Sequence, residues 1–228
     1  MVYCSKQVPG GGGVFLDTVC YIVGAMEPGK IALVPGREKL VIAADGGLTH
    51  LQRRGIVPDL TVGDFDSLTY TPEGENIIRH PVEKDDTDTM LAVKLGLQRG
   101  CGTFLLYGGT GGRPDHTVAN LQTLRFLAGQ GARGYLIGEG WVSAVIRGSA
   151  LIFPAGLRGT VSVFCAGDRA RGVTERGLYY ALEDGALTGD FPLGVSNHFT
   201  GQPAEISVRE GSLLVMWEES AASLAARL

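Results

Sequence analysis

The sequence predicts an α/β protein: a mostly parallel α/β sandwich domain followed by a small all-β sandwich domain. Three observations carry this. Up to about residue 140, short apolar runs alternate with helical patterns, which implies crossovers and parallel strands. Beyond it, short apolar runs recur at roughly regular spacing with glycine between them, as in an all-β unit. Glycine is also abundant, 35 of 228 residues, without a G-X-Y period. Such glycine marks tight turns and close backbone approaches rather than a fibrous chain.

The elements follow in order. Residues 1–17 contain "KQVPGGGG", which has no packing capacity and reads as a flexible lead-in. "TVCYIVGA" (18–25) is apolar, β-branched and broken by glycine, a buried strand. "KLVIAADGG" (39–47) is a second strand, and "LTHLQRRG" (48–55) a brief helix closed by Gly55. "PDLTVGDFDS" is a third strand opening into a loop; "ENIIRHP" (75–81) is a short fourth, stopped by Pro81. In "DDTDTMLAVKLGLQRG" the apolar period becomes helical, with Asp and Thr at its start and Arg99-Gly100 at its end. "TFLLYGG" (103–109) is a strand, residues 113–131 a helix with Pro114 in its first turn, and "GYLIGEG" one more strand. The β-rich part runs through "VSAVIRG", "SALIFPA", "TVSVFCAG", "GLYYALEDG", "EISVREG" and "LLVMWEE", and "SAASLAARL" closes as a short helical turn. "GVSNHFTG" (194–201) reads as a polar turn. The domains are therefore a lead-in (1–17), an α/β unit (18–140) and a β-sandwich unit (141–228).

Composition narrows the function. A net charge of −4 offers no basic stripe for nucleic acid. No apolar run reaches the ~18 residues that span a bilayer, and the amino terminus lacks signal-peptide grammar. The four cysteines, Cys4, Cys20, Cys101 and Cys165, form no CxxC pair. They read as small buried hydrophobes in a reducing, cytoplasmic setting.

The acids are concentrated locally. Asp45, Asp64 and Asp66 follow predicted strands directly, so they share the carboxyl edge of the sheet, where such folds bind ligands. Asp85, Asp86 and Asp88 open a helix entered from the same edge. Asp64 and Asp66 are two apart in extended chain and converge; Asp85 and Asp88 share a helix face. Two such charges ~4 Å apart repel by about 4 kcal/mol at an effective dielectric of 20. Mg²⁺, bound through a few carboxylates and substrate phosphates, turns that repulsion into coordination. Helix capping is the competing role for Asp85 and Asp86. On this reading the counter-charge is not in the sequence but arrives with the metal.

"LLYGGTGGRPDHTVANLQ" runs from strand through a glycine turn into a helix, an arrangement that cradles anions, and Arg113 offers a bidentate contact to phosphate. It is neither a Walker A loop nor a clean GxGxxG. His116 caps, pairs with Asp115, or touches a nucleotide; His50 and His80 carry no partner pattern. Ser196 and Asn197 offer donors and acceptors to a polar heterocycle, and of Tyr179 and Tyr180 one is expected inward and one outward.

Together "AADGG", "PDLTVGDFDS", "EKDDTDTMLAV", "YGGTGGRPDHTVANLQTL" and "GVSNHF", in this order, resemble the thiamin pyrophosphokinase family. The resemblance covers most of residues 19–217 and implies transfer of pyrophosphate from ATP to the thiamin hydroxyl, leaving AMP. It implies a homodimer with sites at the subunit interface. By motif position Asp64, Asp66 and Asp88 become the Mg²⁺ and pyrophosphate group, with Asp45 lining the same site. Thr87, Arg113, Asp115 and His116 lie around ATP. Ser196 and Asn197 hold the thiamin pyrimidine, and Tyr180 stands where some members carry a stacking tryptophan. Rival readings of the residues are a Mg²⁺-dependent phosphohydrolase, a nucleotidyltransferase, or a non-catalytic binder of nucleotide or thiamin.

Overall fold

The structure, a computed structural model, describes residues 15–65, 74, 76–79 and 86–228. The strands and helices of the first half are β1 (Leu16–Val23), β2 (Glu38–Ala44), α1 (Gly47–Arg53), β3 (Leu60–Gly63), β4 (Ile77–Arg79), α2 (Asp88–Gln98), β5 (Cys101–Tyr107), α3 (Pro114–Gly129) and β6 (Arg133–Ile137). The second half holds β7 (Trp141–Arg147), β8 (Ala150–Phe153), β9 (Thr160–Cys165), β10 (Arg169–Arg176), β11 (Leu182–Thr188), β12 (Gly194–His198), β13 (Ala204–Ser207), β14 (Ser212–Glu218) and α4 (Ala221–Ala225).

Ten strands form one sheet in the order β12-β9-β14-β7-β6-β5-β1-β2-β3-β4, and four form a second, β11-β10-β13-β8. Pairing is parallel from β4 through β6 and turns antiparallel where β6 meets β7, at the change of sequence grammar near residue 140. The fold is thus mixed α/β with an antiparallel sandwich part, as expected. One difference is that the hydrogen bonding does not stop between the halves. The apolar strands β6 and β7 present complementary edges, so a single sheet continues into the sandwich.

Alternation along β1 sorts the core into two layers. Val19, Tyr21 and Val23 face one side with Leu48 and Leu51 of α1. Cys20 and Ile22 face the other with Ala92 and Val93 of α2 and Leu124 and Leu127 of α3. The first layer runs on into the β half, where the four-stranded sheet covers it. There Phe153 meets Trp217 edge-on with centroids 5.4 Å apart, and Phe199 at 5.0 Å. Aromatic rings of this size dominate core energetics and prefer such tilted packing.

Two sequence expectations change. Residues 194–198 are not a polar turn but the edge strand β12, paired antiparallel with β9. Its mostly exposed Val195, Ser196 and His198 lack apolar alternation, and the ladder to β9 fixes it instead. The run "GLYYALEDG" is split: β10 ends at Arg176, β11 starts at Leu182, and a lone bridge from Leu178 to Phe199 spans the gap. Tyr179 and Tyr180 lie in that gap, where alternation does not apply, and both are exposed, 69% and 64%.

Candidate active site

From β1 the chain moves one way across the sheet, through β2, β3 and β4, and then returns to β5 and β6 on the other side of β1. The strand order therefore reverses between β1 and β5, and in open α/β sheets ligands bind outside the carboxyl ends at such a switch point. Here two backbones nearly touch. Gly24 N–H donates to Tyr107 O at 2.8 Å and Met26 N–H to Gly108 O at 3.1 Å. Gly108 has φ of +64°, and a Cβ on it would lie 2.5 Å from Met26 O. Only glycine fits both the conformation and the space.

The glycine turn leads from this point into α3, with Arg113 at its N-cap and Pro114 at its first position. Arg113 Nε donates to Asp115 Oδ1 at 3.2 Å, and the guanidinium holds the exposed Asp115 carboxyl below its ordinary range. Arg113, Asp115 and His116 are all exposed at the mouth of the turn. One residue that sequence reasoning missed is Asn120. It is buried on α3 and its Nδ2 donates 2.8 Å to Gly109 O, fixing the turn to the helix. An Asn two turns into a helix after a glycine loop was the available signal.

The loop after β1 is tied down as firmly. His50 Nε2 meets Ala25 O at 3.0 Å, and its other ring nitrogen lies 3.5 Å from Glu27, which also pairs with Arg54. Tyr21 OH accepts from Val34 N at 2.7 Å, and Tyr107 OH donates to Ala32 O at 3.1 Å. Burial pushes the Tyr107 phenol up to about 12, so it remains a donor. His50, without a partner pattern in the sequence, thus has a structural use beside the switch point.

The acids sit at neighbouring strand ends. Asp45 follows β2, and its N–H donates to Val62 O on β3 at 2.8 Å; Asp64 follows β3, half-buried. Asp45 and Phe65 both have positive φ, +48° and +63°. Asp tolerates that region, but for a bulky Phe it is an outlier, and such strain concentrates at functional sites. The Phe65 ring is buried, with the Arg79 guanidinium 6.0 Å from its centroid. Burial of the Phe65 ring therefore offsets the backbone strain. Asp66 and Asp85 lie outside the described residues.

Helix α2 ends three residues before β5, whose start is at the amino edge of the sheet, so its first turn is at the carboxyl edge. Thr87 is its N-cap, with Oγ1 accepting from Met90 N at 3.2 Å, and Asp88 lies in the first turn where the helix dipole favours a negative charge. Asp86 is neither cap nor bare acid: Lys94 Nζ binds its Oδ2 at 2.6 Å. Among the described residues no three His, Cys, Asp or Glu side chains gather to hold a metal by themselves.

In the β half the polar group is buried rather than open. Asn197 Oδ1 accepts from Tyr180 N and His198 N, both at 2.9 Å. Its Nδ2 donates to Glu175 Oε2 at 3.0 Å and to Tyr180 O at 2.7 Å. Ser196 is exposed with φ of +60°, and its N–H donates to Ser162 Oγ at 3.0 Å. Tyr179 and Tyr180 pack edge to face with centroids 4.9 Å apart. One chain does not bring this group to the acids. Six strand steps separate β12 from β1, about 29 Å at ~4.8 Å per step.

Fold and site define a class: an open α/β sheet with acids and a glycine turn at one edge, joined to a β-sandwich. Two family models match the chain, "Thiamin pyrophosphokinase, catalytic domain" over residues 33–135 and "Thiamin pyrophosphokinase, vitamin B1 binding domain" over residues 152–213. The chain belongs to the thiamin pyrophosphokinase family. Thiamine pyrophosphokinase of Bacillus subtilis is 37% identical over 92 residues, a stretch covering 37% of this chain and 42% of that protein. The chain thus matches less than half the length of this curated relative. The solved structure of thiamine pyrophosphokinase from Bacillus subtilis covers 88% of this chain and 98% of its own, at 23% identity and a TM-score of 0.76. That of a thiamin pyrophosphokinase family protein from Enterococcus faecalis covers 89% and 99%, at 26% identity and a TM-score of 0.73. Yeast thiamin pyrophosphokinase covers 95% and 90%, at 16% identity and a TM-score of 0.67, a likeness of fold.

Proposed function

We propose that the chain is an enzyme that transfers the pyrophosphoryl group of ATP to the hydroxyl of thiamin, giving thiamin diphosphate and AMP. The observation that carries this is the pairing of a catalytic-domain match on the half with the acids and glycine turn with a vitamin B1 match on the other half. The part from β1 to residue 140 forms the ATP unit and 141–228 the thiamin unit; Leu16 and Asp17, at the end of the expected lead-in, already belong to β1.

The turn after Gly108 and the first turn of α3 receive the phosphates through backbone N–H groups, with Arg113 adding a charged donor. Thr87, Asp115 and His116 border the nucleotide. The hard oxygen donors Asp64, Asp66 and Asp88, with Asp45 beside them, suit Mg²⁺, which needs few protein carboxylates when phosphates complete its shell. Bound there, the ion would neutralise phosphate oxygens. The thiamin oxygen forms a bond to the β-phosphorus, the bond from that phosphorus to the α,β-bridging oxygen breaks, and AMP leaves with that oxygen while the β,γ bridge stays intact. The hydroxyl proton passes to the carboxylate of Asp66 or Asp88. Most of the acceleration is positioning and electrostatics.

Ser196 and the ring of Tyr180 meet thiamin, and Asn197 shapes that surface through the backbone it holds. Because about 29 Å of sheet lies between β12 and β1, the acceptor half-site is supplied by a second copy in a homodimer. The exposed Phe191 and Leu193 before β12 and Val195 on it favour such a contact. Among the described residues no helix is long and apolar enough to cross a membrane. The free thiols of Cys20, Cys101 and Cys165 suit a reducing cytoplasm.

Incubation with ATP, Mg²⁺ and thiamin tests the reading. The expected products are AMP and thiamin diphosphate in equal amounts. Free phosphate identifies a hydrolase instead, released pyrophosphate a nucleotidyltransferase, and ligand binding without turnover a regulator.

A further inference from the structure

Glu175 occupies an inward position of β10, between β11 and β13, and is 3% exposed. A carboxylate there is costly unless it is hydrogen-bonded. Its bond is to Asn197 Nδ2, itself 4% exposed. The carboxylate only accepts, so it dictates which end of the Asn197 amide is the donor. With that end fixed, Asn197 Oδ1 faces two backbone N–H groups, and the second Nδ2 proton reaches Tyr180 O. A flipped amide would set NH₂ against both N–H groups and oxygen against the carboxylate. Both backbone polar groups of Tyr180 are thereby pinned. The same lacing continues outward: Tyr179 N donates to His198 O at 3.0 Å, and Thr200 Oγ1 to Gly177 O at 2.8 Å.

What this clip holds is exposed, not buried. Two tyrosines in edge-to-face contact stand in solvent on a segment without a regular ladder, beside Ser196 in its positive-φ conformation. Without the clip the segment would be free to reorient, and ordering it on binding would cost affinity. We infer that Glu175 is the positioning residue of the acceptor half-site: acting through Asn197, it presets the backbone of Tyr180 and with it the aromatic surface that receives thiamin. This rests on the proposed thiamin activity and adds a residue to it that touches neither substrate.

The test compares wild type, Glu175→Ala and Glu175→Gln in AMP release, with KM for thiamin and for ATP measured separately. Tyrosine fluorescence titrated with thiamin alone gives a binding readout. Glu175→Ala is expected to raise the thiamin KM about 10-fold while the ATP KM stays within about twofold. Glu175→Gln, which keeps an acceptor for Nδ2, is expected to restore most of the affinity. If Glu175→Ala does not fold, Asn197→Asp sets acceptor against acceptor and should raise the thiamin KM likewise. Adding Glu175→Gln to it supplies a donor and should recover part of the loss. A thiamin KM within twofold of wild type in Glu175→Ala, thiamin and ATP constants rising together, or no recovery in the double variant overturns the role. Wild type without thiamin-dependent AMP release overturns the function itself, and the role falls with it.

Discussion

The two candidate half-sites solve opposite problems. At the carboxyl edge of β1, β2, β3 and β5, charged side chains stand at an open rim and the scaffold beneath is apolar or backbone. At β12 the Asn197 amide and its Glu175 partner are drawn inside, and the aromatic pair Tyr179 and Tyr180 stands at the surface beside the exposed Ser196. The first design suits a triphosphate, whose charge must be met at the moment of reaction. The second suits a flat heterocycle, whose binding gains from a preset apolar surface. Substitutions at the rim should therefore alter chemistry and spare the fold, whereas those in the clip should alter the fold first.

The largest effect expected is at the rim. Asp64→Asn should lower AMP formation by about 100-fold or more. Its thermal midpoint should stay within about 2 °C of wild type, measured by calorimetry. An unfolded Asp64→Asn protein, or one with near-normal turnover, breaks the contrast at its strongest point.

In the clip the order inverts. Asn197→Ala removes four hydrogen bonds and leaves the Glu175 carboxylate buried without its donor. A loss of about 2–4 kcal/mol in urea unfolding is expected, since unsatisfied buried polar groups cost more than the bonds themselves contribute. Stability unchanged to within 0.5 kcal/mol, roughly the spread of surface substitutions, would place the clip at the periphery instead.

The same asymmetry explains what could be read from the sequence. The rim was legible because strand ends, glycine turns and helix starts carry local signatures: Asp45, Asp64, Thr87 and Pro114 lie where their neighbours in sequence place them. The clip was not. Glu175 and Asn197 are 22 residues apart and meet only after β10 and β12 are placed, and an inward Glu runs against strand alternation. Tyr179 and Tyr180 depart from alternation for the opposite reason, because they lie between β10 and β11 where no ladder exists. Nor does local grammar show that β6 and β7 pair and so join the halves into one sheet.

Gly108→Ala tests whether the rim has a structural part of its own. The residue must hold a positive φ, and its new Cβ meets the Met26 carbonyl. A cost of about 1–2 kcal/mol is expected, with a raised ATP KM and an unchanged thiamin KM. Equal change in both constants would mean that the turn serves the fold alone.

A pH series on Glu175→Gln isolates the buried charge. Burial pushes the Glu175 carboxyl above its ordinary range, and the Asn197 bond offsets part of this. A raised carboxyl favours folding below its unfolded pKa and loses that advantage as pH rises through the folded value. The wild type should therefore lose ground to Glu175→Gln on going from pH 4 to pH 8. A stability difference flat across that range would contradict a buried, ionising Glu175.

The smallest effect expected concerns Lys94. The sequence offers the acids no counter-charge, yet Lys94 of α2 binds Asp86, which precedes the N-cap, at 2.6 Å. The pair is partly exposed, 43% and 29% for the two side chains, so its worth is that of a surface salt bridge. Lys94→Met should change stability by no more than about 1 kcal/mol. Its informative readout is the Mg²⁺ dependence of AMP release. Removing one positive charge makes the cluster more negative, so half-saturation should fall to about half the wild-type concentration, and less so in high salt. A rise instead would mean that Lys94 leaves Asp86 for the phosphates during turnover, and that the rim supplies a cation of its own as well as carboxylates.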